Sequence, residues 1–141
     1  MLRLLLRLLG LASRSEEHRA APLPPGNRRL HLFSGTFGSE AAAVAYVLPP
    51  MDGHLADEPA QLTVDLPEAF IDPAFVRMGH GTGLEPLLEA TFTGETLLDV
   101  NHITAGADTV VVIDERATGG FPFRLADTPR LTYHGAFDLH D

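Results

Sequence analysis

The chain has neither cysteine nor lysine in its 141 residues. Without cysteine there is no disulfide, no thiolate zinc site and no thiol nucleophile, which suits a cytoplasmic protein. Without lysine there is no residue for a Walker-A phosphate loop, a Schiff base or a lysine general base. A long apolar run is also lacking. The leucine-rich start, MLRLLLRLLGL, is too short to cross a bilayer, and Arg7 interrupts the apolar stretch that a secretory signal needs.

What is present describes an ordinary globular chain. Hydrophobic residues make up 45%, too many for a disordered protein, and the length matches one domain able to bury roughly two-thirds of its unfolded surface. Charge divides unevenly. Residues 1–30 carry six arginines against two glutamates, and residues 31–141 carry four arginines against seventeen acids, a net of −13. A body this acidic repels phosphate backbones and attracts basic partners, so nucleic acid is not an expected ligand.

Along the chain, Arg3, Arg7 and Arg14 fall on one stripe of a leucine helix. This arm reads as a helix packed on the domain or on a second subunit, as a weak membrane-surface anchor, or as the product of a misassigned start. Membrane contact is expected only through residues 1–14. The proline-rich AAPLPPGN connector closes an arm of residues 1–29, and a single domain is expected over 30–141. Within it the pattern predicts a strand at 30–34, a glycine turn at 35–38, and a helix capped by Ser39 that runs to Leu48, where Pro49 and Pro50 end it. Alternation predicts a strand over Gln61–Leu66 (QLTVDL). Thr82 and Glu85 form a capping box for a helix to Phe92, and a further helix runs from Gly94 to about Ala105. DTVVVIDE (108–115) is a central strand, and 121–125 and 131–139 are two more. In the last strand Leu131, Tyr133, Phe137 and Leu139 alternate with Thr132, His134, Asp138 and His140. The expected class is α/β (α+β): a single mixed sheet, two or three packing helices and a carboxy-terminal antiparallel meander.

Catalytic motifs are weak. VVVIDE resembles a Walker-B strand but has no phosphate loop to serve. Gly79-His80-Gly81-Thr82-Gly83 does not follow a strong strand pattern and reads as a turn. No histidine pair has HxH or HExxH spacing, and neither Ser34 nor Ser39 lies in a GxSxG elbow or pairs with a particular histidine. No catalytic residue, metal or cofactor is expected on these grounds, and whether the chain is an enzyme stays open.

The strand and turn Leu30-His31-Leu32-Phe33-Ser34-Gly35-Thr36-Phe37, the following Ser39-Glu40 helix with Tyr46, the segment Phe70-Ile71-Asp72-Pro73-Ala74-Phe75 and the strand Ala107–Ile113 together resemble immunity protein family 22 of bacterial polymorphic-toxin systems. The arm before residue 30 and the segment after 116 have no counterpart in that resemblance, and the middle segment is less acidic than the family pattern. The resemblance implies a cytoplasmic protein that binds and neutralises a toxin domain. An acidic inhibitor would associate quickly with a basic toxin, and the candidate contacts are Asp52, Asp57, Glu58, Asp72, Asp114 and Glu115. Two alternatives stand beside this reading. One is a small-molecule or metal-binding protein, or an enzyme, using a crevice where the Gly35–Ser39 turn meets the Asp114–Glu115 strand end. The other is an oligomeric scaffold assembled through the amino-terminal helix.

Overall fold

A run of six β-branched or acidic residues with no gap in its burial belongs at the centre of a sheet. In this protein that run is TVVVID, Thr109–Asp114, buried at every position. A computed structural model of the chain describes residues 16–18, 27–49 and 59–140. Among them, strands β1 (Glu16–His18), β2 (Asn27–Gly35), β3 (Val76–His80), β4 (Thr109–Asp114), β5 (Phe123–Leu125) and β6 (Thr132–His140) accompany helices α1 (Glu40–Val47), α2 (Gln61–Asp65), α3 (Leu84–Thr91) and α4 (Gly94–Ile103). The main sheet has the order β3-β4-β2-β6, and β1 pairs with β5 in a separate ribbon.

The fold is α+β, as the pattern predicts. Two details differ. All pairings are antiparallel rather than mixed, and the carboxy-terminal strands do not form a meander. β5 pairs with β1, while β6 lies along β2, a partner about a hundred residues earlier in the chain. Part of the expected arm also joins the fold: Glu16–His18 is strand β1, and β2 opens at Asn27, ahead of residue 30.

Both faces of the sheet are covered. Phe33, Val111, Ile113 and Tyr133 pack one face against α1 and α2. Leu30, Leu32, Val110 and Val112 pack the other against Leu88 of α3, Phe92 and Val100 of α4. This two-sided burial explains why β4 reads as a continuous apolar run and β2 as a dense one.

Ser39 caps α1 as expected, its hydroxyl accepting from the Ala42 amide at 3.1 Å. The Gln61–Leu66 segment is a correction: it forms helix α2, not a strand. Leu62 and Leu66, four apart, are both buried while Val64 is 52% exposed, and the Gln61 amide donates to Asp65 at 2.9 Å across the same turn. The apparent alternation is one turn of helical spacing seen in a short window. The Thr82–Glu85 capping box does not form either. The cap of α3 is Gly83, and no side chain bonds there.

The alternation of the last strand breaks in the middle. Leu32 pairs with Gly135 and Phe33 with Tyr133, so His134 is an extra residue in β6. A bulge of this kind reverses which face later residues address, and Gly135, at φ 103°, supplies the backbone angle. Leu131 and Tyr133 therefore join one core, whereas Phe137 and Leu139 pack against the other.

Candidate functional site

Two neighbouring basic residues and two neighbouring acidic ones lie at the same end of the sheet. Successive strand residues point to opposite faces, and Leu30 pairs with Asp114 across the β2–β4 ladder. Arg28 and Asp114 therefore share the face under α3, and Arg29 and Glu115 share the other. The two adjacent acids, which read as one acidic patch in sequence, serve separate sites on opposite faces.

On the first core face a buried polar chain runs outward from the interior. His31, with no exposed surface, meets the Tyr133 hydroxyl through Nδ1 at 2.8 Å and Glu115 Oε1 through Nε2 at 3.0 Å. An ionised carboxylate only accepts, so Nε2 carries the hydrogen; in the neutral ring Nδ1 then accepts from Tyr133. Arg29 approaches Glu115 Oε2 at 3.6 Å and donates to Asp138 through Nε at 2.7 Å, and the Asp138 hydrogen bond is the main cause of the raised pKa of Arg29. Tyrosine, histidine and glutamate are joined as in a catalytic triad. The hydroxyl, however, lies in the core at 1% exposure, where no substrate reaches it, so the arrangement supports the fold.

On the opposite face, Asp114 accepts from the Arg116 amide (2.9 Å), Nε (3.1 Å) and Nη2 (2.8 Å). Burial pushes its carboxyl upward, but the bonds from Arg116 and the charges of Arg116 and Arg28 more than offset this, holding its pKa below the ordinary 3.8. A depressed carboxylate stabilises the fold above its unfolded pKa and loses that contribution as pH falls through the folded value. Urea unfolding from pH 7 to pH 3 is therefore expected to show Asp114→Asn less stable than the parent at neutral pH, with the difference closing below about pH 4. A difference that stays constant with pH would assign the loss to shape rather than charge.

The Gly35–Ser39 turn lies elsewhere. Gly35 pairs with Thr109 and Leu30 with Asp114, so antiparallel pairing separates the turn from the Asp114–Glu115 end by five residues, roughly 17 Å. The expected crevice between them does not form. The turn amides are also occupied, since Phe37 and Gly38 donate to the Asp108 carboxylate at 2.9 and 2.8 Å, and these bonds hold Asp108 below its ordinary pKa. Sequence reasoning missed Asp108, whose place just before the central strand was the only available signal.

Of the other expected contacts, Asp72 caps the short 3-10 turn Pro73–Phe75, accepting from Ala74 at 2.9 Å. Asp52, Asp57 and Glu58 lie outside the described residues. Ser34, which no spacing paired with a histidine, meets His134 Nε2 at 2.6 Å because the bulge brings that ring beside it; both residues are buried. Among the described residues no group of three potential ligands is placed to hold a metal ion, and no helix is long and apolar enough to cross a membrane. A groove of about 320 Å³ beside α2, lined by Leu62, Phe70 and Ile71, has no ionisable group in its lining among the described residues. Comparison with family models, curated proteins and solved structures finds no match to the chain.

A group of exposed carboxylates lies on α3 and α4. Glu85, Glu89, Glu95 and Asp99 are all exposed, while Leu88 and Val100 on the inner faces are buried. Residues 81–106 contain four acids and neither lysine nor arginine.

Proposed function

We propose that this chain is a cytoplasmic binding protein that neutralises a basic protein domain, in the manner of an immunity protein, and that the α3–α4 surface is its contact face. One observation carries the reading. Glu85 with Glu89, and Glu95 with Asp99, are like charges four residues apart on exposed helix faces. Each such pair costs its helix about 0.2–0.5 kcal/mol. Glu85 and Glu95 at least occupy first turns, where the helix dipole favours an acid; Glu89 and Asp99 have no such compensation. A surface that repels itself in the free protein is relieved by a cationic partner, and an acidic face speeds encounter with one.

The double variant Glu89→Gln with Asp99→Asn is accordingly expected to be slightly more stable than the parent, by up to about 1 kcal/mol, yet to bind its partner more slowly. The test is co-expression with a basic toxin domain, taken from beside this gene if one is encoded there, scored by growth and by recovery of a complex. Rescue is expected, with association that slows markedly as salt is added. Failure to rescue, or an association rate indifferent to salt, overturns the proposal.

A further inference from the structure

The side of the sheet that packs on α1 and α2 carries an open apolar groove. Val47 at the end of α1, Leu62 of α2, and Ala69, Phe70 and Ile71 beyond it contribute to the lining, and the volume is about 320 Å³. That is the room of about ten waters at about 30 Å³ each, and among the described residues the lining offers them no charged partner. Phe70 is 58% exposed, and Phe121, 61% exposed, meets it edge to face at 6.2 Å. The apolar surface therefore continues past the groove toward β5. Rings left this open in water favour a cover.

We propose that the leucine-rich segment of residues 1–14 covers this groove within the same chain. The segment lies outside the described residues, and three observations direct it there. The first is position. In β1, which follows the segment, Glu16 pairs with Leu125 and His18 with Phe123 of β5, and the Arg124 amide donates to the Glu68 carbonyl at 3.0 Å. The segment therefore joins the fold beside the stretch from Glu68 to Ile71 that walls the groove. Phe121 is four residues from Leu125, at most roughly 13 Å, and fifteen residues reach about 22 Å even when wound as a helix.

The second observation is composition. Residues 1–11 contain seven leucines, and residues 1–15 contain no acid. Residues 50–58, which join Pro49 to Pro59 at the groove, hold three acids and one leucine, a poorer match to an apolar lining. The third is charge. The segment carries Arg3, Arg7 and Arg14 on one stripe, whereas residues 59–73 carry Asp65, Glu68 and Asp72 and neither arginine nor lysine. With leucines in the groove, the arginine heads reach that acidic border. Tethering also favours the chain's own segment over a separate partner, since it acts at an effective concentration in roughly the millimolar range. No described lining residue of the groove comes from α3 or α4.

The chain has no tryptophan, so Phe70→Trp in the full chain places a single fluorescent reporter at the groove. Its emission is expected at the short wavelengths of a covered indole, unchanged on dilution. Adding Leu5→Ser with Leu9→Ser, opposite the arginine stripe, is expected to move it to the long wavelengths of an exposed one. Leu98→Trp, on α4 at 69% exposure, is expected to emit at long wavelength with or without those serines. Melting temperatures give a second reading. The serine pair and Phe70→Ser should each lower the Tm by about 2–4 °C, but together by less than the sum, because each opens the same contact. Emission from Phe70→Trp that ignores the serine pair, or additive losses in Tm, overturns the proposal. Emission that lengthens on dilution assigns the cover to a second copy and overturns it too. So does long-wavelength emission from a protein that sediments with anionic lipid vesicles, which would place the segment on a membrane surface.

Discussion

Replacing Glu115 with alanine is expected to destabilise the protein by about 1–3 kcal/mol, the usual cost of taking the acceptor away from a buried donor. Domains of this size have roughly 5–15 kcal/mol in total, so the loss is a large share. The variant would take away the acceptor that meets His31 Nε2 at 3.0 Å in the core, and would remove the carboxylate next to Arg29. A buried donor left unsatisfied costs its full desolvation penalty. Glu115→Gln keeps the shape and one accepting oxygen and should lose less. The double variant His31→Leu with Glu115→Leu removes donor and acceptor together and should recover part of the loss, since apolar replacement of a buried pair is often neutral. Urea unfolding at pH 7 measures all three. A loss below about 1 kcal/mol for Glu115→Ala would mean that the polar chain from Tyr133 to Asp138 adds nothing to stability.

Gly79→Ala and Gly83→Ala are expected to change stability in opposite directions, although both glycines belong to the same GHGTG segment. Gly79 lies in β3, and a Cβ there would sit 2.6 Å from the Gly83 carbonyl oxygen and 3.0 Å from Leu84 Cα. Those are backbone atoms at the start of α3 and cannot rotate away, so the turn must be displaced, at a cost of about 1–3 kcal/mol. Because α3 carries the proposed contact face, Gly79→Ala should also weaken partner binding. At Gly83 nothing lies within 4 Å of the added Cβ, and the backbone is already in the right-handed helical region at φ −85°. Alanine fits there, and it restricts the unfolded chain, so a gain of about 0.4–1 kcal/mol is expected. Thermal melts of the two variants check the pair. Losses of equal size would show that the segment needs flexibility at both positions rather than space at one.

Much of the architecture was legible because its causes are local. Ser39 before an alanine-rich run identifies the cap of α1, a β-branched run identifies β4, and Gly94 and Gly106 bracket α4. The misreadings also have local causes. Gln61–Leu66 is too short to distinguish a period of two from one turn of helix, and only the burial of Leu62 and Leu66 against α1 and the sheet decides it. The bulge at His134 leaves no mark except a glycine, yet it sends Phe137 and Leu139 to the opposite face from Leu131 and Tyr133.

By itself the sequence determined composition and its exclusions: no thiol or lysine chemistry in these residues, an acidic body, an α+β fold with a buried central strand. Those follow from residue counts and short-range periodicity, which do not depend on how the chain is threaded. Only the tertiary structure decided what the charges do. Antiparallel pairing of β2 with β4 carried the Gly35–Ser39 turn away from Asp114–Glu115, and strand alternation then split that acidic pair between a buried histidine on one face and an arginine on the other. Residues about ninety positions apart become neighbours through register, and register is set by the packing of both sheet faces together, which no local window of sequence contains.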